Sequence, residues 1–318
     1  MAGEFDLIDR IRARIVARDD VVLGIGDDAA LLQPPAGRQL VVAMDTLNSG
    51  VHFPTDTAPA DIGWKALAVN LSDLAAMGAT PAWCTLSLSM PEPDPAWVDA
   101  FLDGFDALAR THDVALIGGD TTRGPLSICV TVFGVVAAGS ALRRDAARID
   151  DDIWISGTPG DAAGALAQWS AGVARDPALR VRLDRPQPRV ALGQALVDHA
   201  HAAIDVSDGL LADLGHICRA SGVGATLDID GLPVSEALRD AVDSVEARRA
   251  LQASGGDDYE LCFTAPASAR DDIVAAGAAS STLVARIGRI VDGADIAVSA
   301  SDGEAWLPTR AGWDHFAG

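Results

Sequence analysis

Aspartates, most of them beside glycines, recur next to apolar, strand-like runs throughout this chain, and that pattern limits its fold more than any other feature. They are Gly24-Ile25-Gly26-Asp27-Asp28, Asp45-Thr46, Gly118-Gly119-Asp120, Asp205-Val206-Ser207-Asp208-Gly209 and Gly255-Gly256-Asp257-Asp258. Apolar runs of strand length alternate with helix-period stretches between them. The expected product is a mixed α+β fold whose loops present carboxylates.

Strands are predicted at residues 21–25, 39–44, 83–90, 114–117 and 127–136, each ending near a glycine, proline or aspartate. A helix is predicted over 61–77, stopped by Gly78, and another after the cap Asp94 and the helix-starting Pro95. Val98, Phe101, Leu102, Phe105 and Leu108 would form its buried stripe. Residues 138–151 carry Gly139 and a charged run, and mark a domain boundary between 1–138 and 150–318. Beyond it, strands are predicted at 152–156, 202–206, 225–229 and 260–265, and a helix over 208–220 that Gly222 ends.

Composition excludes several function classes. The formal charge is −21, so a nucleic-acid partner is not expected. Lys65 is the only lysine and is followed by Ala66, which rules out a Walker A loop. If phosphates are handled, metal ions must supply much of the positive charge. The apolar run 128–142 is too short to span a bilayer and contains two glycines. Residues 1–14 mix acids and bases with no signal-like apolar segment, so a cytoplasmic location is expected. Cys84, Cys129, Cys218 and Cys262 form no C-x-x-C pair and read as reduced thiols.

Taken singly, each aspartate after a strand reads as a turn or cap residue, and Asp208 could simply cap its helix. Asp73 differs, because it lies among Val69, Leu71, Leu74, Ala75 and Ala76 on a mainly apolar helix. A carboxylate buried there needs a cation or strong donors. Asn70 stands one turn earlier and can share its face. Taken together, the aspartates suit Mg2+, which prefers hard oxygen ligands and completes its shell with water and substrate phosphate. Residues 24–29 formally fit a G-x-G-x-x-A dinucleotide fingerprint, but Asp27 and Asp28 would face the pyrophosphate and Pro34-Pro35 leave no helix.

Longer motifs are specific. GIGDDAALL from Gly24, MDTL from Met44, KALAVNLSDLAAMGATPAW from Lys65 and LIGGDTTRGP from Leu116 resemble the thiamine-monophosphate kinase family. So do Gly3-Glu4-Phe5, His52-Phe53, GTPGD from Gly157, IDVSDGLLADLGHI from Ile204, SGGDDYELCFT from Ser254 and GWDHF from Gly312. That family belongs to an aminoimidazole ribonucleotide synthetase-like superfamily. The resemblance implies an N-terminal sheet domain that pairs across a homodimer and a C-terminal α/β domain. It implies ATP and thiamine monophosphate as substrates, with several Mg2+ ions. By matching motif, Asp28, Asp45, Asp73, Asp120, Asp205 and Asp208 correspond to its metal ligands. Gly119, Asp120, Arg144 and Ser207 correspond to nucleotide contacts. His52, Asp257 and Trp313 correspond to positions around thiamine phosphate, where an indole face can stack on a thiazolium. Two departures stand out. Ala43 and Met44 occupy positions where relatives often carry Ser or Thr, and Asp257 replaces a common Glu.

The activity implied is in-line transfer of the ATP γ-phosphoryl group to thiamine monophosphate, with no covalent enzyme intermediate. One rival is a superfamily synthetase working through a phosphorylated intermediate; the lack of a reactive N-terminal cysteine disfavours selenophosphate synthesis. Another is a non-catalytic, acidic Mg2+-binding dimer.

Overall fold

The structure is a computed structural model, and it describes residues 4–15, 17–310 and 312–313. Gly3, the Glu4 and Phe5 side chains, and the Asp314-His315-Phe316 end of the last motif lie outside the described residues. The chain divides into two compact units, one of Met1–Leu74 and Ala79–Gly139, the other of Ala75–Gly78 and Ser140–Gly318.

The first unit contains α1 (Glu4–Arg12), β1 (Val21–Leu23), β2 (Leu31–Leu32), β3 (Arg38–Asn48) and α2 (Pro59–Ala76, whose last residues belong to the second unit). β4 (Thr80–Met90), α3 (Pro95–Thr111), β5 (Ala115–Arg123) and β6 (Ser127–Ala137) complete it. Its main sheet has the order β3-β6-β4-β5, with β4 and β5 parallel and the other pairs antiparallel. The two helices lie close together. A Cβ on Gly63 would meet the Phe101 carbonyl oxygen at 2.0 Å, and one on Gly104 the Ala60 oxygen at 1.7 Å. Asp94 caps α3 as expected, accepting from the N–H groups of Ala96 and Trp97.

Two strands run further than predicted. β3 continues through Asp45 to Asn48 because its ladder with β6 is unbroken from Arg38–Ala137 to Asn48–Ser127. β5 continues through Gly118-Gly119-Asp120 to Arg123, paired along β4. Asp45 and Asp120 therefore sit within strands rather than after them. A continuous ladder outweighs the local turn preference of aspartate.

The second unit contains β7 (Asp152–Ser156), α4 (Asp161–Ala171), α5 (Pro177–Asp184), α6 (Val190–Leu196), β8 (Ala202–Val206) and α7 (Leu210–Ser221). It continues with β9 (Gly224–Asp228), α8 (Glu236–Ala241), α9 (Val245–Ser254), β10 (Glu260–Ala265), α10 (Arg270–Ala279), β11 (Val284–Val291) and β12 (Ile296–Ser299). The sheet order is β12-β9-β11-β7-β10-β8, antiparallel except for the β12–β9 pair. Leu210, Leu214 and Ile217 of α7 join Ile153, Ile155, Ile204 and Val206 in its core. α7 starts at Leu210, behind a Gly209 N-cap at φ 122°, so Asp208 stands outside the helix and does not cap it.

The cysteines are free thiols, and all but Cys129 are buried. Burial pushes the Cys84 and Cys262 thiols far above their ordinary value. Among the described residues, no helix is long and apolar enough to cross a membrane.

Candidate functional site

In the first unit, the strand ladder decides which carboxylates can meet. Asp45 lies opposite Val130, which lies opposite Leu86, which lies opposite Gly119. Val130 and Leu86 are buried, and the N–H of Asp45 donates to the Asn70 side-chain oxygen on α2 at 2.9 Å. Asp45 thus belongs to the row facing the helices. Asp120 belongs to the next row, Thr46–Cys129–Ser87–Asp120, on the opposite face, and is exposed. Three strand spacings, roughly 14 Å, also separate the β3 and β5 edges. Within one chain, Asp45 and Asp120 are too far apart to share an ion.

Asn70 is buried and spends its amide on β3 and on the Ala66 carbonyl. It fastens α2 to the strand that carries Asp45. Asp73, one turn later, is half-buried rather than buried, so water reaches it despite its apolar neighbours. Asp28 is exposed, in a loop where its own N–H donates to the Asp27 carboxylate at 2.8 Å. Gly119 must be glycine: φ is 157°, and a Cβ would lie 1.8 Å from the Leu86 carbonyl oxygen. Of the Ala43-Met44 pair, Ala43 is half-buried and Met44 exposed.

His52 sits in a tight loop after β3. Its Nδ1 accepts the Asn48 N–H at 2.9 Å, which assigns the proton of a neutral ring to Nε2. Lys65 is fully buried, and its Nζ donates to the His52 carbonyl at 2.9 Å. The chain's only lysine thus braces this loop instead of facing solvent.

In the second unit, the expected residues other than Arg144 gather around the turn between β8 and α7. Asp205 is buried, and Ser207 and Asp208 are half-buried. The Asp213 carboxylate reaches back from the first turn of α7. Its Oδ2 accepts the N–H groups of Ser207, Asp208 and Gly209 at 3.0, 3.1 and 3.2 Å. Burial, with the nearby Asp205 and Asp208 carboxylates, pushes Asp213 up to about 7 against the pull of those donors.

The carbonyls of the same turn are engaged too. Val206 accepts from Tyr259, Ser207 from Asp257 and Asp208 from Trp313, at 2.8, 2.9 and 2.8 Å. Asp257 and Tyr259 are held at φ 69° and 51°, and the Tyr259 hydroxyl donates to the Asp257 carboxylate at 3.1 Å. Left-handed backbone costs such residues about 1–3 kcal/mol each, so surrounding contacts must enforce it. The Trp313 ring is about half exposed, with the Arg310 guanidinium 5.8 Å from its centroid. Arg144 is exposed in a short turn whose carbonyl accepts the Ser221 hydroxyl at the end of α7.

A buried ionic network supports the GTPGD and GGDDYE segments. Glu260 accepts from Arg182 at 2.5 Å, from Arg189 at 2.5 and 2.7 Å, and from the Ser156 hydroxyl at 2.5 Å. Burial alone would raise Glu260, but Arg189, Arg182 and Ser156 carry it below its ordinary value. The Gly160 N–H donates to the Asp258 carboxylate, yet burial keeps Asp258 well above the usual range.

Sequence reasoning missed Asp213, Glu260, Arg182 and Arg189. For Asp213 a signal existed: an acid four residues after the glycine that opens a helix, inside a motif already singled out. The partners of Glu260 are 71 and 78 residues away, with no local signature.

Among the described residues, no three His, Cys, Asp or Glu side chains are grouped to hold a metal by themselves. The hard oxygen donors on each unit fit Mg2+, and a cation near Asp205 and Asp208 would offset the repulsion that raises Asp213.

Family models for AIR synthase related proteins match both parts of the chain, the N-terminal domain over residues 26–136 and the C-terminal domain over 148–301. A thiamine-monophosphate kinase of Salmonella typhimurium is 47% identical, across 99% of this chain and 98% of its own length. The crystal structure of thiamine-monophosphate kinase from Stenotrophomonas maltophilia is 60% identical, with a TM-score of 0.88 over 96% of this chain and 98% of its own. The structure of AaThiL complexed with AMPPCP and TMP is 31% identical, with a TM-score of 0.79 over 99% of this chain and 97% of its own. With similarity running along both domains and nearly the full length, the chain belongs to the thiamine-monophosphate kinase family of AIR synthase related proteins.

Proposed function

We propose that this kinase moves the γ-phosphoryl group of ATP directly onto the phosphate of thiamine monophosphate, giving thiamine diphosphate and ADP. The observation that carries the reading is the turn at residues 205–209. There, the backbone of the turn that carries Asp205 and Asp208, which match the family's metal ligands, is hydrogen-bonded to the backbone of Asp257 and Trp313.

The acceptor is already an anionic phosphate oxygen, so no side chain need remove a proton. What remains is to bring two polyanions together in line. Mg2+, held by Asp28, Asp45, Asp73, Asp120, Asp205 and Asp208, would neutralise charge and align the phosphates. Asp45 and Asp120 of one chain would hold different ions, given their separation. Gly119, Asp120, Arg144 and Ser207 orient the nucleotide. By matching motif, His52 and Asp257 lie around thiamine phosphate, and Trp313 presents an aromatic face to the thiazolium.

The active form is a homodimer built on the first unit. Leu40, Val42 and Met44 of the edge strand β3 are more than half exposed on one face, opposite Val135, Phe133 and Thr131 of β6. A second copy of the same face would cover this apolar row. The substrates are small polar metabolites, in keeping with a cytoplasmic enzyme.

The test is ADP release from Mg-ATP with thiamine monophosphate, with thiamine, and with neither. Release should depend on thiamine monophosphate. Equal turnover of thiamine overturns the acceptor, and release that needs no acceptor overturns the kinase reading in favour of a hydrolase.

A further inference from the structure

The turn at residues 206–209 has an unusual property: its backbone is engaged on both sides. On the amide side, the N–H groups of Ser207, Asp208 and Gly209 all end on one oxygen of Asp213. On the carbonyl side, Val206, Ser207 and Asp208 receive Tyr259, Asp257 and Trp313. The Gly209 carbonyl accepts the Asp213 N–H at 3.0 Å, closing the ring onto α7. Glycines allow the close approach. A Cβ on Gly256 would lie 2.6 Å from the Ser207 oxygen, and one on Gly209 2.9 Å from the Ser254 carbonyl carbon.

Two sets of residues thereby share one support. Ser207 and Asp208 belong to the nucleotide and metal side of the proposed site, and Asp257 and Trp313 to the thiamine phosphate side. The second set takes its backbone position from carbonyls whose peptide planes are fixed by the amides that Asp213 holds. A peptide plane turns as a unit, so releasing an amide re-aims the carbonyl of the preceding residue. Freeing the amides of Asp208 and Gly209 therefore re-aims the carbonyls of Ser207 and Asp208, which seat Asp257 and Trp313.

We infer that Asp213 is the positioning residue that ties nucleotide binding to thiamine phosphate binding. The inference rests on the proposed function and names what joins the two halves of that binding site on the second unit. In the wild-type enzyme, occupancy by one substrate tightens the other through this turn. Without the carboxylate the peptide planes of the turn move independently, so the orientation that one substrate favours is no longer passed to the residues that hold the other.

The test compares Asp213→Leu, Asp213→Asn and wild type, by calorimetric titration with thiamine monophosphate in the presence and absence of Mg-β,γ-methylene-ATP, and by kcat and KM for each substrate. Asp213→Leu keeps size and burial but offers the amides no acceptor. It should raise both KM values, lower kcat/KM about 100-fold, and bring the mutual tightening of the substrates to about one. Asp213→Asn keeps a carbonyl oxygen at the same reach and should restore most of the tightening. Asp213→Ala, which likewise offers the amides no side-chain acceptor, serves the same comparison if the leucine variant does not fold. Asp152→Asn, which loses its Arg270 partner at the far end of β7, controls for lowered stability alone. Wild-type KM values and coupling in Asp213→Leu or Asp213→Ala overturn the inference, as does an Asn variant as defective as either. Failure of the wild type to release ADP in response to thiamine monophosphate sinks the proposed function instead.

Discussion

The main-chain N–H of Trp313 donates to the carbonyl of Asp208 at 2.8 Å. This bond belongs to the backbone, so most side-chain replacements at 313 leave it in place. Trp313→Ala should therefore weaken thiamine monophosphate binding while sparing Mg-ATP. A stacked cation–π contact is worth about 0.5–2 kcal/mol, a 2- to 30-fold change in affinity. Trp313→Leu should fail similarly, and Trp313→Tyr should largely work. Trp313→Pro removes the N–H and should weaken both ligands. Titrating each variant with each ligand, beside a thermal melt, checks the set. Rescue by leucine would make Trp313 a packing residue only.

Asp73→Asn should cut kcat by at least about 100-fold, as loss of an electrostatic stabiliser does. Because the side chain is half-buried, stability should move by about 0.5 kcal/mol or less. Turnover measured across Mg2+ concentrations, with a denaturant melt, decides it. Normal kcat at limiting Mg2+ would remove Asp73 from the metal ligands.

Glu260→Gln leaves two guanidiniums facing a neutral amide in a buried site. It should cost about 3 kcal/mol of stability near neutral pH. The sign with pH follows from the lowered carboxyl of Glu260. Its stabilisation is complete above the ordinary carboxylate range and is lost as pH falls through the lowered value. Urea melts from pH 7 to pH 3 should show the wild type losing more stability than the variant on acidification. Parallel pH profiles would contradict this.

Much of the architecture was legible in local pattern. The Asp94 cap, the apolar stripe of α3 and the strand–carboxylate motifs each follow from residues close in sequence. The facing of Asp45 and Asp120 was not, because it depends on the β3–β6–β4–β5 register, and one residue of slip exchanges the faces. Asp213 resembles any acid in a first helical turn until its three amide donors are seen. Arg182, Arg189 and Glu260 find one another only through the tertiary fold.

Val42→Glu should dissociate the proposed homodimer. It places a charge in the middle of the β3 row, where a covering partner would bury it. A penalty of about 3 kcal/mol weakens a dimer roughly 150-fold. Sedimentation velocity at micromolar protein, with circular dichroism to confirm folding, tests this. An unchanged sedimentation coefficient for a dimeric wild type would move the interface elsewhere.

The central claim, phosphoryl transfer from ATP to a phosphate acceptor, is tested most directly by following the transferred group. ATP labelled with 18O in its γ-phosphoryl group is incubated with enzyme, Mg2+ and thiamine monophosphate, and the products are weighed by mass spectrometry. The prediction is thiamine diphosphate carrying the label in its terminal phosphoryl group, one for each ADP formed. Labelled inorganic phosphate with no labelled thiamine diphosphate would contradict the account.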